Sequence, residues 1–514
     1  MTERRRIFLN IIVTYGRSVY ALVLGLFTAR WALLALGQAD FGLYGLIGGL
    51  TSFFTILNNL LATGVARFYA VSVGLKKVDY GKGLNNCRRW FCTAFVIHSV
   101  LAVVLVSLGY PIGKWAIYNY LTIPPNRVTA CIWVWRYVCV SCLVAMANVP
   151  FSAMYRAKQE IAEMTIFSLF TTTVRAAFLF YIVRHSGDWL STYAFVICIA
   201  SVIPQALMCF RAVMLFEECK LELRLLKGAR TRIKELFGYS GWLTFGFMGG
   251  LAQSQGVAVL INKMFGPVTN AALSIGNSVS AECGILSGGL LGAFSPAIMN
   301  AYGAGEMEKV RKMSFQACKF GTILLLVLAI PLCIEVDEVL RLWLKEPPEH
   351  ASGLCVCALA SIVIDKTAAG HLIAVNTHGR IALYQVVLGT FLILALPLAW
   401  FFTILKMGVY SVGYAIVISM VCCVLGRVWF ARSLVKMSSI YWLKKVLIPL
   451  IIVAAMAFLF GSIPKLCIGP SLFRVVITTL LAETALVPLS WFMLLDENER
   501  LFLAQKINYL LRRN

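Results

Sequence analysis

The chain has 514 residues, of which 60% are hydrophobic and only 13% charged. Soluble domains carry about a quarter charged residues, so a mean hydropathy of +0.82 excludes an ordinary soluble globule and points to a polytopic membrane protein. The net charge of +23 would suit nucleic acid, but cytoplasmic loops of membrane proteins also accumulate Lys and Arg, and the position of the charges decides between the two.

MTERRRIFLN is a short basic head before an apolar run too long for a signal-peptide core, so it reads as an uncleaved first span. Apolar runs set against turn and charge punctuation predict an all-α chain with about fourteen transmembrane helices. The predicted spans are 11–36, 41–73, 91–112, 128–154, 163–183, 190–212, 236–262, 268–300, 313–334, 351–376, 381–405, 409–431, 443–462 and 473–495.

In the first span Arg17 shares a stripe with Asn10 and Thr28, which lie about 20° away on a helical wheel, and with Thr14 and Tyr20 at about 60° to either side. Arg30 falls about 140° round the helix and about 20 Å further out, where it can snorkel or pair with Asp40 across the turn. The second span puts Thr55, Asn59, Thr63 and Arg67 at successive i+4 positions, a second polar face. Arg136 and Arg175 add positive charge to the fourth and fifth spans. The seventh carries Gln253, Ser254 and Gln255; the eighth carries Asn270, Ser274, Asn277, Ser278 and Glu282 within one broad face. Asp365 and Lys366 adjoin in the tenth and are expected to pair with neighbouring helices. His98 and His371 read as satisfied buried groups, and Glu483 in the last span lies outside the repeat described next. The sixteen cysteines sit almost entirely within apolar runs, as in Cys355, Cys357, Cys422 and Cys423, and read as small packing residues.

With the N-terminus inside, basic residues concentrate in the inner loops by roughly threefold over the outer ones. The charge is therefore topology: both termini are expected in the cytoplasm, and nucleic acid is not needed. Gly37 and Gly266, at similar turns, are 229 positions apart, and Gly64 and Gly292 are 228 apart. Six spans per repeat give a parallel repeat of two lobes. The expected domains are 1–212, a basic linker 213–235, 236–440, and 441–514 with two extra helices and a basic tail. In such twofold transporters the substrate sits between the halves near mid-membrane. A basic cavity of Arg17, Arg67, Arg136 and Arg175 would favour an anionic head group such as a diphosphate, lined by Asn10, Thr14, Thr28, Asn59, Thr63, Gln253, Gln255, Asn270, Ser274 and Asn277. Asp40, Glu282 and Asp365 are the coupling or gating candidates. No Walker A pattern is present and no outer loop exceeds about 20 residues, so neither ATP hydrolysis nor a polytopic glycosyltransferase is expected. The reading is transport, not enzymology, with no cofactor beyond a coupling ion that the sequence leaves open as H+ or Na+.

Four motifs carry a resemblance: LG-x-x-DFGLYGL at Leu36 to Leu46, ATGVARFYA-x-x-xG at Ala62 to Gly74, FG-x-x-x-NAALSIGNS at Phe265 to Ser278, and SPAIMNAYGAGE at Ser295 to Glu306. With the fourteen spans and the twofold repeat, they resemble the MOP superfamily, and within it the polysaccharide (O-antigen type) flippases, over roughly residues 1–440. The resemblance implies a MATE-like fold that moves undecaprenyl-diphosphate-linked glycans from the cytoplasmic to the outer leaflet by alternating access, without ATP. It implies that Arg17 and Asp40 occupy places similar to functionally implicated groups in related flippases, and that helices 443–462 and 473–495 form a groove for the lipid tail. The expected setting is the bacterial inner membrane, as a monomer, with the lipid-linked glycan, membrane lipids and other polysaccharide-assembly proteins as partners. The rival is a cation-coupled multidrug or small-molecule antiporter of the MATE branch. Its cavities are typically acidic, which the arginines disfavour and Glu282 favours.

Overall fold

A computed structural model of the chain describes residues 52–119, 121, 123–185, 187–344, 346–497, 499–501 and 504, with a scattered set of positions between 13 and 47 that includes Arg17, Thr28 and Asp40. Every described position between 13 and 36 is helical. Asn10, Thr14 and Arg30 lie outside the described residues.

The helices in chain order are α1 (Ser52–Leu75), α2 (Tyr80–Asn119), α3 (Val128–Ala147), α4 (Val149–Ala157), α5 (Ile161–Ile182), α6 (Leu190–Leu215), α7 (Ala229–Leu251), α8 (Val257–Phe265), α9 (Pro267–Gly303) and α10 (Met307–Ile334). They continue as α11 (Val336–Leu344), α12 (Ala351–Thr367), α13 (Ala369–His378), α14 (Ala382–Ile393), α15 (Ala395–Ile404), α16 (Tyr410–Val435), α17 (Ser439–Trp442), α18 (Ile448–Cys467) and α19 (Leu472–Leu489). Among the described residues ten helical stretches are long and apolar enough to cross a bilayer, and the bent pair α12–α13 makes an eleventh. The chain is an all-α, multi-pass membrane protein. The remaining three of the fourteen expected spans are the first two, partly outside the described residues, and 236–262, which is split.

The interruptions have local causes. α3 gives way to α4 at Asn148, and Pro150 opens the new helix. Pro397 cannot donate to the Ile393 carbonyl, and the helix divides there into α14 and α15. α12 and α13 meet at 49° about Ala368. Between α7 and α8 the segment Ala252–Gly256 is a π turn. Helices also outrun the apolar signal: α2 has 40 residues where the apolar run suggested 91–112, because Tyr80–Arg89 continues the helix in polar sequence.

The chain divides into two compact units, 1–241 with 295–306, and 242–294 with 307–514. The 213–235 stretch belongs to the first unit and both extra helices to the second. The first unit packs round Tyr69, Phe91, Met154 and Tyr155, with Phe68 stacked on Trp90 at 3.9 Å between ring centroids. The end of α9 lies in this unit, where the Asn300 amide donates to the Ala157 carbonyl at 3.1 Å. The second unit has its own core round Leu325, Leu354, Leu359 and Val412. Glycines let its backbones approach, as where a Cβ on Gly249 of α7 would press on the backbone of Gly389 in α14.

The extra hairpin α18–α19 is fastened to α10 at both ends. At one end Arg474 donates to buried Glu335 at 2.7 and 3.1 Å, and Thr478 donates to the same carboxylate at 3.0 Å. At the other, Lys319, only 1% exposed, reaches Asp496 and Glu499, each at 3.4 Å. All cysteines except Cys467 are buried or half-buried and free, as expected of packing residues.

Candidate functional site

A polar side chain left exposed along a membrane-spanning helix is costly against lipid, so such side chains mark surfaces that meet water or substrate. The first unit has one built on arginine. Arg17 is exposed, and three residues on, the Tyr20 hydroxyl and Thr173 Oγ1 of α5 are hydrogen-bonded at 2.8 Å. That bond sets the Arg17 side of the first helix beside α5. Asn59 and Thr63 are exposed on α1, whereas Thr28 is buried.

The other three arginines each meet aromatic partners. Arg67 is 9% exposed, with its guanidinium 4.9 Å from the Phe68 ring and 4.8 Å from the Tyr239 ring, a stacked and largely structural placement. Arg136 donates to the Tyr110 hydroxyl at 3.2 Å and lies 4.5 Å from the Trp133 ring. Arg175 donates to the Tyr193 hydroxyl at 3.1 Å. Arg175 is two residues beyond Thr173 and so projects from another side of α5. The four arginines expected to line one cavity thus each have their own neighbours. Arg17, Arg136 and Arg175 are nonetheless exposed, and among the described residues no carboxylate pairs with any of them.

Asp40 has a partner that the sequence did not suggest. It is 5% exposed and pairs with Arg127 at 3.0 Å, and Arg127 also holds Asp188 at 2.6 Å. Arg30, which the sequence allowed either to snorkel or to pair with Asp40, lies outside the described residues. Burial pushes the Asp40 carboxyl above its ordinary value, against the pull of Arg127. Arg127 sits far along the chain, so sequence proximity does not point to it.

The second unit carries a neutral-polar face with one acid. Ser274, Asn277, Ser278 and Glu282 are exposed along α9, while Asn270 is half-buried. Ser274 and Ser278 spend their hydroxyls on the carbonyls one turn back, at 3.0 and 2.9 Å, which leaves Asn277 and Glu282 as the outward-reaching groups. The π turn presents Gln255 outward and lets Gln253 donate to Ser419 at 3.3 Å. Such bulges often accompany functional positions in helices.

Asp365, by contrast, is fully engaged. Its carboxylate takes Lys366 at 2.8 Å and Arg427 at 2.7 Å, and Arg427 also donates to its carbonyl at 3.1 Å. Both cations thus sit at the negative end of α12, where the chain breaks, and Trp442 caps the Thr367 carbonyl at 2.9 Å. These aromatic and basic partners, like Tyr110, Thr173 and Tyr193 above, were missed in the sequence; nothing local marks them.

No protein-family model matches the chain, and no curated protein matches it. Solved structures do. An outward-facing multidrug resistance MATE family transporter of the MOP superfamily is 14% identical, with a TM-score of 0.68, covering 85% of this chain and 96% of that one. A MATE in the straight conformation is 14% identical with a TM-score of 0.67, covering 85% of this chain and 97% of that one. A MOP superfamily transporter from Pyrococcus furiosus, whose binding pocket is described as of reverse polarity, suggesting a different function, is 14% identical with a TM-score of 0.65, covering 85% and 98%. The fold is MATE-like.

Proposed function

We propose that this chain is a membrane transporter that moves an undecaprenyl-diphosphate-linked oligosaccharide from the cytoplasmic to the outer leaflet by alternating access, without ATP. The observation that carries the reading is Arg17: an exposed guanidinium within the first span expected from the sequence, with no carboxylate paired to it among the described residues. Such a cation is stabilised by an anion, and a guanidinium fork matches the oxygens of a diphosphate. Exposed Arg136 and Arg175 extend the positive character of the first unit, and Asn59, Thr63, Asn277, Ser278 and Gln255 suit sugar hydroxyls. A neighbour described as having a pocket of reversed polarity supports the idea that one fold serves substrates of opposite charge. The chain would act in a bacterial inner membrane with both termini in the cytoplasm, alongside other polysaccharide-assembly proteins.

The test is surface glycan export in cells that depend on this chain. Arg17→Ala should abolish export while leaving the protein in the membrane at its normal level, and Arg17→Lys should restore part of it. Wild-type export from the alanine variant would remove Arg17 from the site.

Glu282 favours a second reading, a cation-coupled multidrug or small-molecule antiporter, since an exposed acid on α9 suits cationic cargo or a coupling H+ or Na+. Increased drug sensitivity on deletion of the chain, with surface glycan intact, would establish that reading instead.

A further inference from the structure

The stretch after α6 is basic enough to pass as a topological signal alone, but it is built as a surface. Three of its four acids are turned to the body of the first unit. Glu217 pairs with Lys76, Glu218 pairs with Lys158 at 2.5 Å, and Glu222 pairs with Arg88 at 3.5 Å. Its backbone is held against α2: Arg88 donates to the Glu217 carbonyl at 3.0 Å, and the Glu222 amide donates to Cys92 Sγ at 3.4 Å. Arg232 donates to Thr93 at 2.8 Å and to the Leu225 carbonyl at 2.7 Å, while Leu225, Leu226 and Ile233 pack on the core. A topogenic signal requires charge in the right loop and none of this order.

What the clamp leaves outside is Lys220, Arg224, Lys227, Arg230 and Lys234, spaced every three or four residues and all exposed. None has a side-chain hydrogen bond or ion pair among the described residues, and Glu235 is the one acid of the stretch not turned to an ion pair. Beside them stand exposed Met214, Leu215, Leu221 and Phe237. Cations interleaved with exposed apolar side chains, next to the end of a membrane-spanning helix, match the boundary between head groups and acyl chains.

We infer that this segment is a binding surface for anionic phospholipid head groups. The acids supply the inward fastening and the five cations face the leaflet, so the order of the segment and its charge serve one end. The inference is independent of what the protein transports.

The test is native mass spectrometry of the full-length protein released from nanodiscs of mixed phosphatidylglycerol and phosphatidylcholine. The wild type should retain phosphatidylglycerol selectively, and salt should displace it. The variant K220Q/R224Q/K227Q/R230Q/K234Q should lose most of it, since each cation near an anionic surface contributes about fivefold in affinity. A control of equal charge change on the second unit, R380Q/R432Q/K436Q/K444Q/K445Q, should keep it. Equal retention by the first variant and the wild type, or equal loss in both variants, overturns the inference. Should the first variant fail to insert, photoreactive phosphatidylglycerol added to wild-type protein decides: adducts within residues 213–237 support the surface, and adducts only elsewhere refute it.

Discussion

Gly74 of α1 and Gly303 at the end of α9 pack reciprocally on each other's helix. A Cβ on Gly74 would run into the Asn300 carbonyl, and one on Gly303 into the Val71 carbonyl. Gly74 and Gly303 are 229 positions apart, and so are Val71 and Asn300. The contact thus joins positions that share the spacing of the repeat read from the sequence.

Alanine at either glycine should therefore destabilise the protein, because the obstacle is backbone and cannot rotate away. Overpacking of this kind costs about 1–3 kcal/mol. Thermal unfolding in detergent should show a lowered midpoint for Gly74→Ala and Gly303→Ala, and none for Gly292→Ala, where a Cβ meets nothing within 4 Å. An unchanged midpoint for both of the first two would remove the close approach.

Glu335→Gln should loosen the extra hairpin. Arg474 is 7% exposed and would keep its charge without its carboxylate. Breaking one side of a buried pair costs about 3–5 kcal/mol, whereas replacing both with apolar residues of similar volume is often neutral. Glu335→Leu with Arg474→Met should thus recover much of the stability lost in Glu335→Gln. Protease accessibility of the segment between α18 and α19 reads this directly; equal resistance in all three proteins would contradict the fastening.

The cluster of Lys76, Lys158, Glu217 and Glu218 gives a dependence on pH. Hydrogen bonds from Lys76 and Tyr80 hold Glu217 down at about 2. Burial alone would raise Glu218, but Lys158 outweighs it and the carboxyl is lowered. Burial opposes the charge on Lys76, yet its bonds to the two glutamates raise it above the ordinary lysine value. A depressed carboxylate stabilises above its unfolded value, about 4.3, and loses that contribution as pH falls through the folded value. The raised lysine stabilises below its ordinary value and loses its share only as pH climbs past the folded one. Stability from the cluster should be flat across neutral pH and decline between about pH 4 and 2. Lys76→Met should move the acid decline upward. Superimposable acid unfolding curves for the two proteins would contradict this.

Asp365→Asn should destabilise the second unit by about 3–5 kcal/mol, since it leaves Arg427 buried beside a neutral amide. Arg427 is 8% exposed. Circular dichroism melting compared with Glu282→Gln, an exposed acid with no such partner, separates the two: Asp365→Asn should melt lower and Glu282→Gln should not. Equal melting would make Asp365 dispensable to the fold.

Much of the fold was legible in the sequence because bilayer thickness imposes a length on apolar runs that needs no alignment. Gly266, with φ +87°, shows why a glycine stands between α8 and α9. Breaks within spans were less so: Pro397 announces one, but nothing in the residues about Ala368 signals the 49° bend. The site was legible only as far as a helical wheel reaches. It singled out Arg17 and the face of α9 as candidates, but not the approach of Arg67 to Tyr239, 172 positions away, nor the pairing of Asp40 with Arg127. Which distant cation an acid meets is decided by tertiary packing, and a single sequence does not contain it.

The π turn at Ala252–Gly256 gives its helix one residue more than the α-helical path between its ends requires. Deleting one residue there would restore a continuous α-helix and keep the hydrogen-bond ladder whole, but it would turn everything on one side of the cut by about 100° relative to the other. Val257 and Ile261, now in the core, would rotate out, and a different set of side chains would face where Gln255 does. The surplus residue thus acts as a register key: it fixes which side chains the helix offers, and its loss would change that selection without altering the identity of any residue that remains.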